Sequence, residues 1–251
     1  MIVVKDTNQE YHSKKEYISA SGLKSIYLES VHHYLNKTIA ETPAMAFGTA
    51  VHTAIYEPLE FYKENYFMPK IDRRTKAGKE QYELEVKNAE GKKVFDEVQH
   101  NVIKTIVNNV KKDDLARKYT LGECEVSHYL EYNDVLVRVR PDCINRVAGF
   151  ISDVKTCQSN APRAFKNDVY KRAYHLQAAF YMDMLGVNDF KFIAIETNAP
   201  YSVQVYTLSE EMLDQGRHAY KQSLADWQLY KETGIITGYK GERADDGSII
   251  L

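Results

Sequence analysis

The chain has 251 residues, 44% apolar and 27% charged, which is enough for one substantial core. A net charge of −2 excludes a global basic field, so any surface for a polyanion has to be local. The three cysteines, Cys124, Cys143 and Cys157, show no CxxC spacing, which argues for a reducing compartment and against a disulfide framework or a structural zinc or iron–sulfur site. With no apolar leader and no 18-residue apolar run, the expected location is the cytoplasm, away from membranes.

In chain order, residues 18–36 read as a helix capped by Ser19 or Ser21, with Leu23, Ile26, Tyr27 and Tyr34 on one face. Residues 42–62 read as a second helix, with Pro43 at its start and Pro58 near its end. Gly48 and neighbouring alanines give that helix a slim face. Residues 79–113 are charge-rich and helical in pattern. The β-rich runs "ECEVSHYLEY" and "VLVRVRPDC" flank a turn at Asn133-Asp134, and "GFISDVKTC" completes a three-stranded meander. Residues 162–185 read as a helix ended by Gly186, "FKFIAIETN" and "SVQVYTL" as strands, and 209–233 as a final helix with Ser209 as N-cap. The predicted fold is a single mixed α/β domain over 1–251, with one central mixed sheet flanked by helices. Its helical N-terminal part spans about 18–113, its sheet core about 120–208, and its last helix about 209–233 plus a tail.

The segment "RVRPDCINRVAGFISDVKTC" (138–157) places Asp142 and Asp153 equidistant from a midpoint between Val147 and Ala148. In a simple hairpin the two carboxylates face each other, which is destabilising unless something offsets it. Strand alternation adds Lys155 to the face of Asp153, beside Arg138 and Arg140 of the neighbour. Two readings stand side by side: a surface ion cluster neutralised by these cations, or a site for a hard divalent cation such as Mg²⁺. On the second reading, removing either acid should leave the stability of the metal-free protein level or raise it. Asp-x-Lys or Glu-x-Lys occurs four times in the chain, but only Asp153 lies in a predicted strand with an acid placed across from it.

"RPD…DVKT" resembles the PD-(D/E)XK nuclease signature. "FGTAVHTAIYEP" (47–58), "YHLQAAFYMDML" (174–185), "ISASGLKSI" and "DRRTKAGKE" (72–80) are similar to segments of the RecE-type exonucleases (exodeoxyribonuclease VIII) of phages and prophages, covering about 18–230 in that family's order. The resemblance implies a PD-(D/E)XK core and a 5′→3′ double-strand DNA exonuclease dependent on Mg²⁺, with Mn²⁺ able to substitute. It implies metal ligation by His52, Asp142, Asp153 and the Val154 carbonyl, with Lys155 beside the attacking water and Gln177 and Tyr181 on the Q-x-x-x-Y helix. Without it, His52 reads as packing or surface, and Gln177 and Tyr181 as part of a packing stripe. Glu125 matches a Glu-x-Ser pattern as a supporting residue behind the ligands. Arg73, Arg74, Lys76 and Lys79 form a candidate DNA-binding stretch, against the alternative of a solvated loop. The implied partners are double-stranded DNA ends, a single-strand annealing protein, and further copies of the chain in a ring-shaped homo-oligomer, a tetramer. The rivals are a RecB-like nuclease with endonuclease or single-strand preference, and a catalytically silent nucleic-acid-binding module. The tail 238–251 lacks the tryptophan-bearing ending of bacterial members.

Overall fold

The computed structural model describes every residue except 39, 240, 242–247, 250 and 251, so most of the tail lies outside the described residues. The chain opens with strand β1 (Ile2–Val4), helix α1 (Asn8–Ser13), strand β2 (Ile18–Ser19) and helices α2 (Ala20–Leu28), α3 (Val31–Asn36), α4 (Pro43–Tyr56) and α5 (Pro58–Glu64). Strand β3 (Asn65–Met68), helix α6 (Lys76–Asn88), strand β4 (Lys93–Asp96) and helices α7 (Glu97–Lys112) and α8 (Asp114–Tyr119) follow. Next come β5 (Glu123–Cys124), β6 (Ser127–Tyr132), β7 (Val135–Val139), β8 (Cys143–Asn145) and β9 (Phe150–Cys157). Helices α9 (Pro162–Lys171) and α10 (Tyr174–Leu185) cross over to β10 (Phe190–Glu196), then β11 (Val203–Thr207) and α11 (Glu210–Thr233).

The mixed α/β class holds, but the strands divide between sheets. A five-stranded mixed sheet runs β11-β10-β9-β8-β5, with β9 and β10 parallel and the other pairs antiparallel. A second sheet runs β1-β6-β7-β2, and β3 and β4 pair on their own. The expected three-stranded meander is therefore split, with its first hairpin in the second sheet. Pro141 gives the physical reason: it has no N–H to donate and cannot extend a ladder. The chain leaves one sheet after Val139 and enters the other at Cys143. Arg138 stays behind with β7, its guanidinium donating to the Tyr11 and Lys14 carbonyls rather than standing beside Asp142.

Four predicted helices are interrupted, each at a residue with a local reason. Ser30 starts a new helix, its hydroxyl accepting from His33 N, so 18–36 becomes β2, α2 and α3, with Ser19 capping α2. Pro58 sits in the first turn of α5, where its missing N–H costs nothing, rather than near the end of one long helix. Glu90 and Gly91, at φ 50° and 83°, turn the chain into β4 and break the 79–113 run. Ala173, at φ 49°, separates α9 from α10.

Successive side chains of β9 and β10 alternate between two apolar clusters. Ile151, Phe192 and Ala194 join Leu23, Leu176, Phe180, Tyr220 and Trp227 from α2, α10 and α11. Phe150, Val154, Ile193 and Ile195 join Val51, Ile103 and Ile106 from α4 and α7. Both faces of the central strands are thus covered, as expected where parallel strands meet a helical crossover. No helix among the described residues is long and apolar enough to cross a membrane.

Candidate active site

The β8–β9 register sets Cys143 opposite Ser152 and Ile144 opposite Ile151; carried one residue past the end of β8, it sets Asp142 opposite Asp153. The like-charge penalty is relieved acid by acid. Asp153 is almost fully buried and pairs with the Lys155 ammonium through one oxygen, while its other oxygen accepts from Gln177 Nε2 at 2.6 Å. Gln177 Oε1 in turn accepts from Lys24 Nζ at 3.0 Å. A lysine can only donate, so this contact fixes which end of the amide faces Asp153. The Tyr174 ring lies 4.8 Å from Lys155 Nζ and 5.4 Å from Lys24 Nζ, within cation–π range of both.

Asp142 takes a different set of partners. Its Oδ2 accepts from Val154 N at 2.7 Å and meets His52 Nε2 at 2.6 Å. His52 comes from α4. One turn earlier, a Cβ on Gly48 would stand 3.1 Å from Thr156 Oγ1, so the slim face read from the sequence is what lets α4 lie against β9. The other imidazole nitrogen, Nδ1, is 3.2 Å from Glu125 Oε1, and Arg140 Nε is 2.8 Å from Glu125 Oε2. Tyr181 donates its hydroxyl to the Arg140 carbonyl at 3.2 Å, holding the backbone just before Pro141. His52, Glu125, Arg140, Asp142, Lys155, Arg172 and Tyr174 line one cleft of about 990 Å³.

The electrostatics follow from burial and charge together. Burial alone would lower the His52 pKa, but the Asp142 and Glu125 carboxylates outweigh it and push it up to about 9. Burial likewise works against ionised Asp142, yet His52, Lys155 and the Val154 N–H keep its pKa below the usual carboxylate value. Asp153 is raised, first by burial and then by the Asp142 charge, with Lys155 working against both. Glu125 is lifted by burial to about 7, His52 and Arg140 pulling it back while Asp142 adds to the rise. Lys155 rises despite burial because Asp153 faces it. Lys24 is lowered to about 7 by burial and by the Lys155 charge.

Ligand atoms of His52, Glu125 and Asp142 all lie within 4.8 Å of one another, one nitrogen and two carboxylate oxygens, a donor set suited to a divalent cation. Asp153 stands beside this trio with both oxygens engaged, and the contact Val154 makes with Asp142 is through its N–H. Glu125, expected behind the ligands, is a full member of the cluster. Lys24 was not singled out from the sequence, where nothing local distinguishes it. The basic stretch precedes and opens α6, away from these contacts. Arg74 is held by Asp72 at 2.8 Å and Arg73 stacks 4.6 Å from the Tyr82 ring centroid. A Cβ on Gly78 would meet the Asp72 carbonyl at 2.0 Å, so the loop backbone is folded tightly onto the helix start, while the Arg74 and Lys76 side chains stand exposed.

A family model described as a PDDEXK-like domain of unknown function (DUF3799) matches residues 19–241. The chain belongs to this family. A crystal structure from Eubacterium rectale, described as a "Putative exonuclease", shares 14% identity over 92% of this chain and 88% of that one, with a TM-score of 0.61. A phage-related exonuclease from Haemophilus somnus 129PT is a weaker likeness, at 13% identity over 86% and 96% and a TM-score of 0.38. No curated protein matches the sequence. The fold is therefore PDDEXK-like.

Proposed function

We propose that this PDDEXK-like chain is a divalent-metal-dependent exonuclease that digests duplex DNA from its ends in the 5′→3′ direction, using Mg²⁺ with Mn²⁺ as a substitute. The observation that carries this reading is the convergence of His52, Glu125 and Asp142 from three separate stretches of chain beside the Asp153–Lys155 pair in one cleft. His52, Glu125 and Asp142 would hold the cation, with Asp153 adjoining. A bound cation supplies charge neutralisation at the scissile phosphate and a more acidic water. Lys155, held as an ammonium by Asp153, can donate but not accept; it would orient the attacking water and offset charge growing on the phosphate. Of the two roles expected for it, orienting and deprotonating, the paired ammonium favours the first. Gln177 steadies Asp153, and Tyr181 steadies the strand end that presents Asp142.

The RecE-type likeness of "FGTAVHTAIYEP" and "YHLQAAFYMDML" supports the finer reading: a ring-shaped homo-oligomer, a tetramer, that threads DNA and leaves one strand for a single-strand annealing protein. Arg73, Lys76 and Lys79 would add sequence-independent phosphate contacts. The test is a time course on end-labelled linear duplex and on covalently closed circles of the same sequence, with and without Mg²⁺. Linear DNA should shorten from 5′-phosphorylated ends to mononucleotides, leaving the complementary strand, while circles survive. Cutting of circles to mixed internal lengths would favour the RecB-like endonuclease rival, and inertness towards both would favour a silent binding module.

A further inference from the structure

Cys124 and Cys143 are far apart in sequence, yet β5 and β8 pair them directly, Cys124 opposite Cys143. Just beyond the ladder, Glu125 N donates a single bond to the Asp142 carbonyl at 3.2 Å, at the place of a hydrogen-bonded pair. In an antiparallel ladder such pairs alternate with non-hydrogen-bonded ones, so Cys124 and Cys143 occupy the closer kind, with Cα atoms about 4.5 Å apart and side chains on the same face. Gly122 makes the approach possible: a Cβ there would come within 2.4 Å of the Ile144 carbonyl oxygen and 2.8 Å of Cys143 Sγ. Both thiols are free, Cys143 fully buried and Cys124 half-buried. Each cysteine is bonded in sequence to a member of the candidate metal cluster, Cys124 to Glu125 and Cys143 to Asp142.

From this juxtaposition we infer that Cys124 and Cys143 form an oxidisable dithiol, a modification site at which a hydroperoxide closes a cross-strand disulfide and switches the metal site off. The more accessible Cys124 attacks the peroxide, breaking its O–O bond, to give a sulfenic acid and one molecule of water or alcohol. The Cys143 thiol then attacks that sulfur and a second water leaves. Two electrons pass from the sulfurs to the peroxide, and the two thiol protons end in the oxygen products. A disulfide prefers Cα atoms about 5.5–6 Å apart and tolerates about 4.4 Å only at its limit, so closure pushes β5 and β8 apart. Glu125, already at φ 55°, and Asp142 move with them. Bonds closed under such strain are readily reduced, so a cellular dithiol would reopen this one.

The disulfide itself stands apart from the nuclease reading; its effect on the metal site rests on that reading, and the experiment separates the two. Purified protein is exposed to hydrogen peroxide, and its intact mass, free thiols and peptide map are measured, followed by its Mn²⁺ affinity by calorimetry before and after dithiothreitol. The expected result is the loss of two hydrogens, a fall from three titratable thiols to one, and a cross-linked pair of peptides carrying Cys124 and Cys143. Mn²⁺ affinity should drop at least tenfold and return on reduction, while Cys124→Ser keeps its affinity under the same exposure. Absence of the cross-link, or a cross-link to Cys157, overturns the proposal whatever the metal affinity. A Cys124–Cys143 bond with unchanged Mn²⁺ affinity overturns the switch. No Mn²⁺ binding in either state overturns the metal reading and the switch together, while the mass and peptide map still decide the disulfide.

Discussion

Metal binding at this site should be a competition with a proton. His52 lies between Asp142 and Glu125 as an imidazolium, with a pKa of about 9, and a metal ligand must be the neutral imidazole. At pH 7 that proton is about two pH units from leaving, which costs about 2.7 kcal/mol, or a hundredfold in affinity. Mn²⁺ affinity should therefore rise about tenfold per pH unit from pH 7 and level off near pH 9. Below pH 7 the slope should steepen, because Glu125, lifted to about 7, must also ionise. The metal-free protein should show the mirror image. The folded-state pKa of His52 is raised above its ordinary 6.5, so its contribution to stability is complete below pH 6.5 and lost as the pH climbs through about 9. Calorimetric titration with Mn²⁺ in two buffers of different ionisation heat would count the protons released, and His52→Asn should reduce that count by one at pH 8. An affinity independent of pH between 7 and 9, with no proton release, would refute the reasoning.

Other substitutions follow from the same contacts. Asp153→Ala leaves the Lys155 ammonium without its carboxylate in a buried setting, so the metal-free protein should lose about 3–5 kcal/mol in urea melts as well as its cleavage. This reverses the sequence-based expectation of level or higher stability, and a stable Asp153→Ala protein would restore that expectation. Asp142→Ala should cost less stability, since His52 keeps Glu125 as a partner, while still abolishing Mg²⁺-dependent hydrolysis. Lys24→Met should slow turnover about tenfold to a hundredfold by freeing the Gln177 amide, with no further loss in a Gln177→Leu background; additive losses would mean that Lys24 acts elsewhere. Reversing Arg73 and Lys79 to Glu should reduce the salt slope of duplex binding by about one for each phosphate no longer neutralised. Arg74→Glu alone should do less, because Asp72 already engages that guanidinium.

Local spacing carried the parts of this site that lie within one hairpin or one helix. The midpoint count that set Asp142 against Asp153 needs only the period-2 register of a hairpin, and the observed β8–β9 pairing obeys it. Spacing set Gln177 and Tyr181 on one helical face but read them as a packing stripe; their place in the site came from the resemblance of that helix. The single-sheet reading failed at Pro141 because alternation continues unbroken through "VLVRVRPDC", while ladder membership depends on which backbone groups find partners. Three of the helix breaks were hidden similarly: apolar spacing persists across Glu29, Glu57 and Arg172, and a restart or a left-handed residue interrupts the backbone without changing the pattern. What sequence spacing cannot supply is the meeting of distant elements, and the chemistry of this site depends on three such meetings. Glu125 becomes a ligand candidate only because α4 carries His52 across to it, a distance that Gly48 helps set. Lys24 acquires its role because α2 packs on α10, where its ammonium meets Gln177. Cys124 and Cys143, read from spacing as unpaired, become neighbours because Gly122 lets β5 lie against β8. In each case the residue type was visible and the partner was not, so the two glycines, which carry no chemistry themselves, shape the site as much as the acids they bring together.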